Sequence, residues 1–366
     1  MNAALPRHSN KKRILFLCPF PHGGGPSQRF RFEQYLSLLE ANGFEVHQEG
    51  FLDAATTGIL YQPGHAREKV IGVLRGFKKR LALLLHARRY DYVFIHLEAA
   101  PLGPPVIEAA LLALGCKIVF DIDDAIFISV TQAENRLAAR LRWRSKVAWI
   151  TRHSYKVIGV NPYLVEWARE FNESVLLVPT TIDPNVHRPA PPDFPRGPLP
   201  VLGWTGTRTT ITHLHSIQEA LEELDTKYDF VFRAICDRDP ALKLRRYEFV
   251  PWKASTEIED LWPIQIGLMP VRDIPVAKGK VGFKAIQYSA LEIVPVVSDV
   301  GSGPEVVEHG VTGLVVENTS KAWVDAIGSL LRDPCARERM GRAARTKILA
   351  TYSTTAQAPN YLGLFA

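Results

Sequence analysis

AKGKVGFKAIQYSALEIVPVVSDVGSGPEVVEHGVTGLVV, residues 277–316, reads as two glycine turns, each feeding a helix, with strands between and after them. Gly279, Lys280 and Gly282 precede a helix expected to begin near Phe283. Glycines let the backbone approach a ligand closely, and the bare N–H groups of a helix start favour an anion. Lys280 and Lys284 add positive charge to that start, a combination suited to a diphosphate. Val294 to Val297 has the length and apolarity of a buried strand, and DVGSGPE (299–305) turns sharply out of it towards a second helix carrying Glu305. Strand, glycine turn and helix in that order are the unit of a parallel sheet that binds ligands beyond its strand ends.

The same alternation continues in both directions. Upstream of a proline-rich break stand ILFLC (14–18), YVFIH (92–96), KIVFD (117–121), KVIGV (156–160) and SVLLVP (174–179). After it come VLGWTG (201–206), FVFRAI (230–235), YEFVPW (247–252), IGLMPV (266–271), PVVSDV (295–300) and GLVVE (313–317), with helical patterns at Ile217–Leu224 and Trp323–Leu331. The break, RPAPPDFPRGPLP (188–200), suits neither helix nor ladder because proline lacks an amide hydrogen. The expected architecture is two doubly wound α/β domains facing across a cleft. The first spans 1–190, the linker 191–199 and the second 200–351, with the tail 352–366 packing back on the first. No internal repeat interrupts this order.

The 366 residues suit two cores, and 46% apolar with 22% charged residues is the composition of a folded globular chain. Cys18, Cys116, Cys236 and Cys335 are scattered and form no metal-ligand or disulfide pattern, which fits a reducing compartment. The basic polar N-terminus does not read as a secretory signal, and no run approaches the roughly 20 apolar residues of a membrane span. The expected location is the cytoplasm, or peripherally the inner face of the membrane.

The net charge of +6 is unevenly spread. Arg67, Lys69, Arg75, Lys78, Lys79, Arg80, Arg88 and Arg89 surround Val70, Ile71, Leu74, Leu81, Leu83, Leu84 and Leu85 in segment 67–89. A second segment, 136–152, holds Arg136, Arg140, Arg142, Arg144, Lys146 and Arg152 with Trp143 and Trp149. Such segments either lie on an anionic membrane surface or are solvated helix faces. Signatures of nucleic-acid binding are missing, and no such partner is expected.

Four further motifs sit at strand ends. PHGGGPSQRFR places Gly23, Gly24 and Gly25 before a helix whose first turn bears Arg29 and Arg31, residues that oppose the helix dipole and so suggest an anionic acceptor or phosphate. FDIDDAIF sets Asp121, Asp123 and Asp124 on the rim of the first sheet, near His96. Three close carboxylates require hydrogen-bond partners, a solvated cleft or a divalent cation. GWTGTRTT offers the amides of Gly206 and Thr207 and the charge of Arg208 to a phosphate oxygen.

Taken together, GK-x-GFK, QY, PVVSDVG, the following Glu and HGVTGLVV resemble the retaining glycosyltransferases of family four, which have the GT-B fold. PHGGGPSQRFR, DIDD, NPYLVEWAREF, VPTTID, GWTGT and VPW extend the likeness over nearly the whole chain. The resemblance implies that the second domain binds a nucleotide-diphosphate sugar, the first binds a glycan or lipid-linked acceptor, and transfer retains the anomeric configuration, as in cell-surface polysaccharide or glycolipid synthesis. It assigns donor binding to Gly206, Thr207, Arg208, Val250, Trp252, Gly279, Gly282, Phe283, Gln287, Ser302 and Glu305. Lys280 and Lys284 would stabilise the leaving diphosphate, while Asp123 and His96 would act on the acceptor side. Preorganised cations can do this without a cofactor or metal. The chain departs from the family at its acidic pair, where Gly279 and Gln287 stand instead. That departure keeps a catalytically silent scaffold in view, with a sugar-nucleotide epimerase as a further alternative.

Overall fold

The structure, a computed structural model, describes residues 11–128, 143 and 145–366. The chain divides into one unit holding residues 1–178 and 358–366 and another holding 179–357.

Unit 1 is built on a parallel sheet of β1 (Arg13–Cys18), β2 (Glu45–Gly50), β3 (Tyr92–His96), β4 (Lys117–Ile122), β5 (Lys156–Gly159) and β6 (Val175–Leu177), in the order β2-β1-β3-β4-β5-β6. β1 and β3 are apolar and buried because helices cover both faces of a parallel sheet. β2, EVHQEG, is the strand that the apolar pattern does not reveal: it lies at the sheet edge, half exposed, and alternates polar residues instead. Phe16, Phe32 and Phe94 stack at the centre, with centroids 4.9–5.8 Å apart. The last residues join that core: Tyr361 lies flat on Tyr35 at 4.0 Å, and Leu364 and Phe365 are fully buried.

Unit 2 carries β7 (Val201–Thr205), β8 (Val231–Cys236), β9 (Tyr247–Pro251), β10 (Ile266–Met269), β11 (Val294–Ser298) and β12 (Leu314–Val316), again all parallel, in the order β12-β11-β10-β7-β8-β9. Counted within the unit, this is the 3-2-1-4-5-6 order of dinucleotide-binding sheets. The helices expected near 217–224 and 323–331 are Gln218–Lys227 and Ser320–Arg332. The proline-rich stretch 188–200 has no helix or strand and packs within unit 2, where Phe194 meets the edge of Trp262 and the Trp262 indole donates to the Arg188 carbonyl. All four cysteines are free thiols.

Each chain reversal leaves a crevice at the carboxyl ends of two strands that run apart in sequence: β1 and β3 in unit 1, β7 and β10 in unit 2. Among the helices are α1 (Pro26–Arg31), α2 (Ala66–Leu84), α3 (Ser145–His153), α4 (Ile211–His215), α5 (Phe283–Ala290), α6 (Gly303–Val306) and α7 (Thr354–Gly363).

Candidate functional site

At the β7/β10 crevice of unit 2, positive charge gathers from three parts of the chain. Gly282 is the N-cap of α5, with φ +70°, and supplies no side chain to the first-turn amides. A residue with a Cβ would be strained there, so the glycine is required by the turn. Lys284 sits in that first turn, its ammonium 5.9 Å from the Trp204 ring. Burial, helped by the neighbouring Lys280, pushes its pKa down to about 8. His213, on α4, lies in the same field: burial first, then Lys284, Lys280 and Arg272, push it down to about 4. It is therefore neutral at neutral pH. Its Nδ1 accepts the Arg272 amide hydrogen at 3.0 Å, so the ring proton resides on Nε2. The hydroxyl of Tyr288, further along α5, accepts from the Thr205 amide at 2.9 Å and fixes α5 to the end of β7.

The second glycine turn is fastened to the first. Gly301, φ +65°, lies where a Cβ would be 2.6 Å from the Ala277 carbonyl, and the Ser302 amide donates to the Lys280 carbonyl at 3.3 Å. Gly279 and Ser302 are buried, Phe283 is half-buried, and Glu305 in α6 is exposed beside them. Lys280, Lys284, Gly279, Gly282, Phe283, Ser302 and Glu305 are thus one cluster.

Other expected donor residues are placed differently. The Gly206 amide donates to the Ile235 carbonyl at 3.0 Å and the Thr207 amide to Thr210 Oγ1 at 3.0 Å. Neither amide is available to an oxyanion in this conformation, because β8 engages the first and the loop before α4 engages the second. Arg208 is pinned at 2.6 Å by Asp237, which receives both its side chain and its amide. Val250 and Trp252 pack partly buried against Ile235, Ile258, Leu261 and Tyr288.

Gln287 is buried on α5, and its amide nitrogen donates to Glu257 at 3.3 Å. A carboxylate therefore does stand beside Gln287, brought from a loop thirty residues earlier. Nothing in the spacing of the sequence announces Glu257, and the same holds for His213 and Arg272, whose neighbours are distant in the chain.

At the β1/β3 crevice of unit 1 the charges pair off. Asp121, fully buried, receives Nη2 of Arg31 at 2.5 Å and Nδ1 of His96 at 2.7 Å, and Arg31 Nη1 donates to the Val178 carbonyl at 2.6 Å. Burial would raise the Asp121 carboxyl, but Arg31 and His96 outweigh it and hold it below the ordinary range. His96 Nε2 meets Ser27 Oγ at 3.0 Å, and Ser27 in turn donates to Asp123. Burial raises the Asp123 carboxyl, with His96 opposing and Asp121 reinforcing. Ser27, absent from the sequence-based candidates, is the link that joins His96 to Asp123.

Arg31 is therefore not an anion receptor as its position in α1 suggested; it neutralises Asp121 in the core. The glycine loop is similarly engaged, since the Gly23 amide donates to the Glu33 carboxylate at 3.0 and 3.1 Å and Gln28 and Gln48 bond the same group. Gly25 is buried, Gly24 is exposed, and Arg29 lies against the Phe30 ring at 4.9 Å. Asp124 caps the Ala125 amide. Among the described residues no group of three or more His, Cys, Asp or Glu could hold a metal ion.

In the two basic segments, Arg136, Arg140, Arg142 and Arg144 lie outside the described residues. Lys146 is not a surface cation: α3 buries it against Glu98, at 3.0 Å, and Glu108. No helix among the described residues is long and apolar enough to cross a membrane.

Residues 273–347 match the family described as glycosyl transferases group 1, a segment that contains Lys280, Lys284 and both glycine turns. No curated protein matches the sequence. The fold is similar to a glycosyltransferase from Rickettsia africae (TM-score 0.70, 15% identity, 97% of this chain and 98% of the other). It is similar also to sucrose-phosphate synthase from Thermosynechococcus elongatus (0.69, 16%, 97% and 98%). Anabaena HepE, solved in complex with UDP, aligns with a TM-score of 0.65 at 15% identity over 96% of this chain and 98% of its own. Two Rossmann-like units in this topology are the GT-B fold.

Proposed function

We propose that this GT-B chain, with its group 1 glycosyltransferase segment at 273–347, transfers a sugar from a nucleotide-diphosphate donor to a glycan or lipid-linked acceptor with retention of configuration. The observation that carries the reading is the gathering of Lys284, Lys280, Arg272 and His213 at the β7/β10 crevice, where burial first and the neighbouring cations second push Lys284 and His213 down. A half-buried lysine beside another cation is an unfavourable arrangement by itself, and a bound diphosphate removes the cost by supplying the opposite charge.

Lys284 and Lys280 would bear the charge that develops on the leaving diphosphate, the α5 amides would hold its oxygens, and neutral His213 would donate from Nε2. Gln287 and Glu257 form a donor and acceptor pair suited to ribose hydroxyls, taking the place of the acidic residue missing at position 287. Phosphate charge is met by side chains and amides, so the reaction is proposed to need no metal or other cofactor. In unit 1, Asp123, Ser27 and His96 would position an acceptor hydroxyl, with Asp121 and Arg31 holding His96 in orientation. A UDP-sugar donor accords with UDP and UDP-glucose bound in HepE structures of the same fold, and the proposed role is surface polysaccharide or glycolipid synthesis in the cytoplasm.

The test is turnover of UDP- and GDP-sugars in an acceptor-complete extract containing EDTA. Nucleoside diphosphate release that requires acceptor is expected. Release without acceptor, epimerisation of the free donor, or no turnover of any donor would each overturn the reading.

A further inference from the structure

Helix α2 is packed inside out. Its inward face is Gly72, Gly76 and Arg80, all buried. A Cβ at Gly72 would lie 2.3 Å from Thr56 Oγ1, and one at Gly76 2.6 Å from the Phe51 ring, so α2 lies against unit 1 through bare backbone. Arg80 completes the contact, fully buried, donating to the carbonyls of Ala99, Cys18 and Glu49 at 2.8–3.1 Å.

Val73, Leu83 and Leu84 are half-buried, but the other large aliphatic residues of the segment point away from unit 1. Val70, Leu74 and Leu81 are 57–61% exposed and Leu85, just past the helix, 81%. At 100° per residue these positions fall within about 60° of one another and centre roughly opposite the Gly72–Gly76–Arg80 face. A water-facing helix has the reverse arrangement, with its apolar stripe towards the core. Arg67 and Lys78 lie on or at the edge of the same stripe, exposed, with Arg88 and Arg89 beyond its end, whereas Arg75 and Lys79 lie off it on the flank towards Asp53, which Arg75 meets at 3.7 Å. The one acid of the helix, Glu68, lies off the stripe, near the azimuth of Arg75 and Lys79.

We propose that α2 docks this chain on an anionic lipid surface, its axis in the plane of the headgroups, with Val70, Leu74, Leu81 and Leu85 entering the acyl boundary. Charge complementarity selects the occupant: Arg67 and Lys78 extend from the stripe with apolar stems and cationic heads, the disposition that satisfies hydrocarbon and phosphate together. A second copy would set the same cations against one another. The inference stands on α2 alone, whatever sugar unit 2 holds.

The experiment is flotation of the full chain with phosphatidylcholine vesicles, with and without phosphatidylglycerol. The wild type floats with the anionic vesicles, less so in high salt, and not with the neutral ones. Leu74→Gln with Leu81→Gln lowers the bound fraction about tenfold or more, and Lys78→Gln lowers it less. The thermal midpoint and donor turnover with a water-soluble acceptor stay at wild-type values, because both leucines project into solvent. Failure to float, equal flotation with neutral vesicles, or undiminished flotation of the double variant overturns the docking. So does light scattering that shows a vesicle-free dimer abolished by the same two changes, which assigns the face to a second copy. Loss of turnover in every protein, with flotation intact, would count against the transferase reading alone.

Discussion

The two crevices use charge in opposite ways. In unit 1, Arg31, Asp121, His96, Ser27 and Asp123 form a closed succession in which each charge meets its counterpart inside the protein. In unit 2, burial and Lys280 lower Lys284, and burial together with Lys284, Lys280 and Arg272 keeps a neighbouring histidine neutral. A self-compensated network is stable as it stands and serves to hold groups in place. A gathered set of like charges is costly until an anion arrives, which is the property of a binding site.

The sharpest way to break this comparison is to remove one cation from each crevice. Arg31→Met leaves Asp121 buried with only His96 beside it, and a buried ion pair broken on one side costs about 3–5 kcal/mol. Denaturant unfolding should show a loss of that size, and Asp121→Asn in the same chain should restore part of it. A small effect would mean that Asp121 does not depend on Arg31. Lys284→Met should do the reverse, leaving the unliganded protein at least as stable while lowering donor turnover by about 10²-fold, the scale of one lost group around developing charge. Equal destabilisation by both variants would erase the distinction between the crevices.

Titration sharpens the same contrast. Because the folded pKa of Lys284 is near 8 and that of an unfolded lysine near 10.4, the unfolded chain holds more protons between about pH 8 and 10. Unliganded stability therefore rises through that window and is level below it. Diphosphate affinity moves oppositely, since the ammonium that meets the anion is lost as pH rises past 8. Calorimetric titration with UDP or GDP should show weaker binding by about tenfold from pH 7 to 9, beyond the change seen in Lys284→Met. Affinity that stays flat would remove Lys284 from the site.

A smaller effect is expected from Glu257→Gln. If Glu257 and Gln287 hold ribose hydroxyls, the variant should weaken nucleoside diphosphate binding by about five- to tenfold, one hydrogen bond to a charged group, and leave inorganic pyrophosphate binding unchanged. Equal losses for both ligands would place Glu257 with the phosphates instead.

How much of this could be read in the chain follows from where the signals lie. The buried strands β1, β3, β4 and β7 announce themselves as apolar runs, and the glycines around Lys280 mark a helix start because a positive φ at Gly282 needs them. β2 does not, because an edge strand is stabilised by its neighbour and not by an apolar pattern. Partners brought together by folding were the main omission. Ser27 beside His96, Glu257 beside Gln287 and Arg272 beside His213 have no local spacing, and only the sheet order makes them neighbours. The same ignorance of partners made Gly206, Thr207 and Arg31 look like anion ligands, when a carbonyl, a hydroxyl and Asp121 already engage them.

Arg208 gives the finest test, because it stands between the two kinds of charge. It sits beside the β7 turn of unit 2, where a guanidinium could reach a phosphate, yet Asp237 grips it as Asp121 grips Arg31. The pair is largely solvent-exposed, so its contribution to stability is small, of the order of 0–1 kcal/mol. If the internal partner decides, Arg208→Ala changes diphosphate affinity by less than about twofold, and Asp237→Asn, which releases the arginine, strengthens binding or leaves it level. If the donor instead draws Arg208 away from Asp237, Arg208→Ala weakens binding by about tenfold and makes its salt dependence shallower than that of the wild type. The second outcome would move the boundary between compensated and gathered charge into the β7 loop and make the donor site one residue larger.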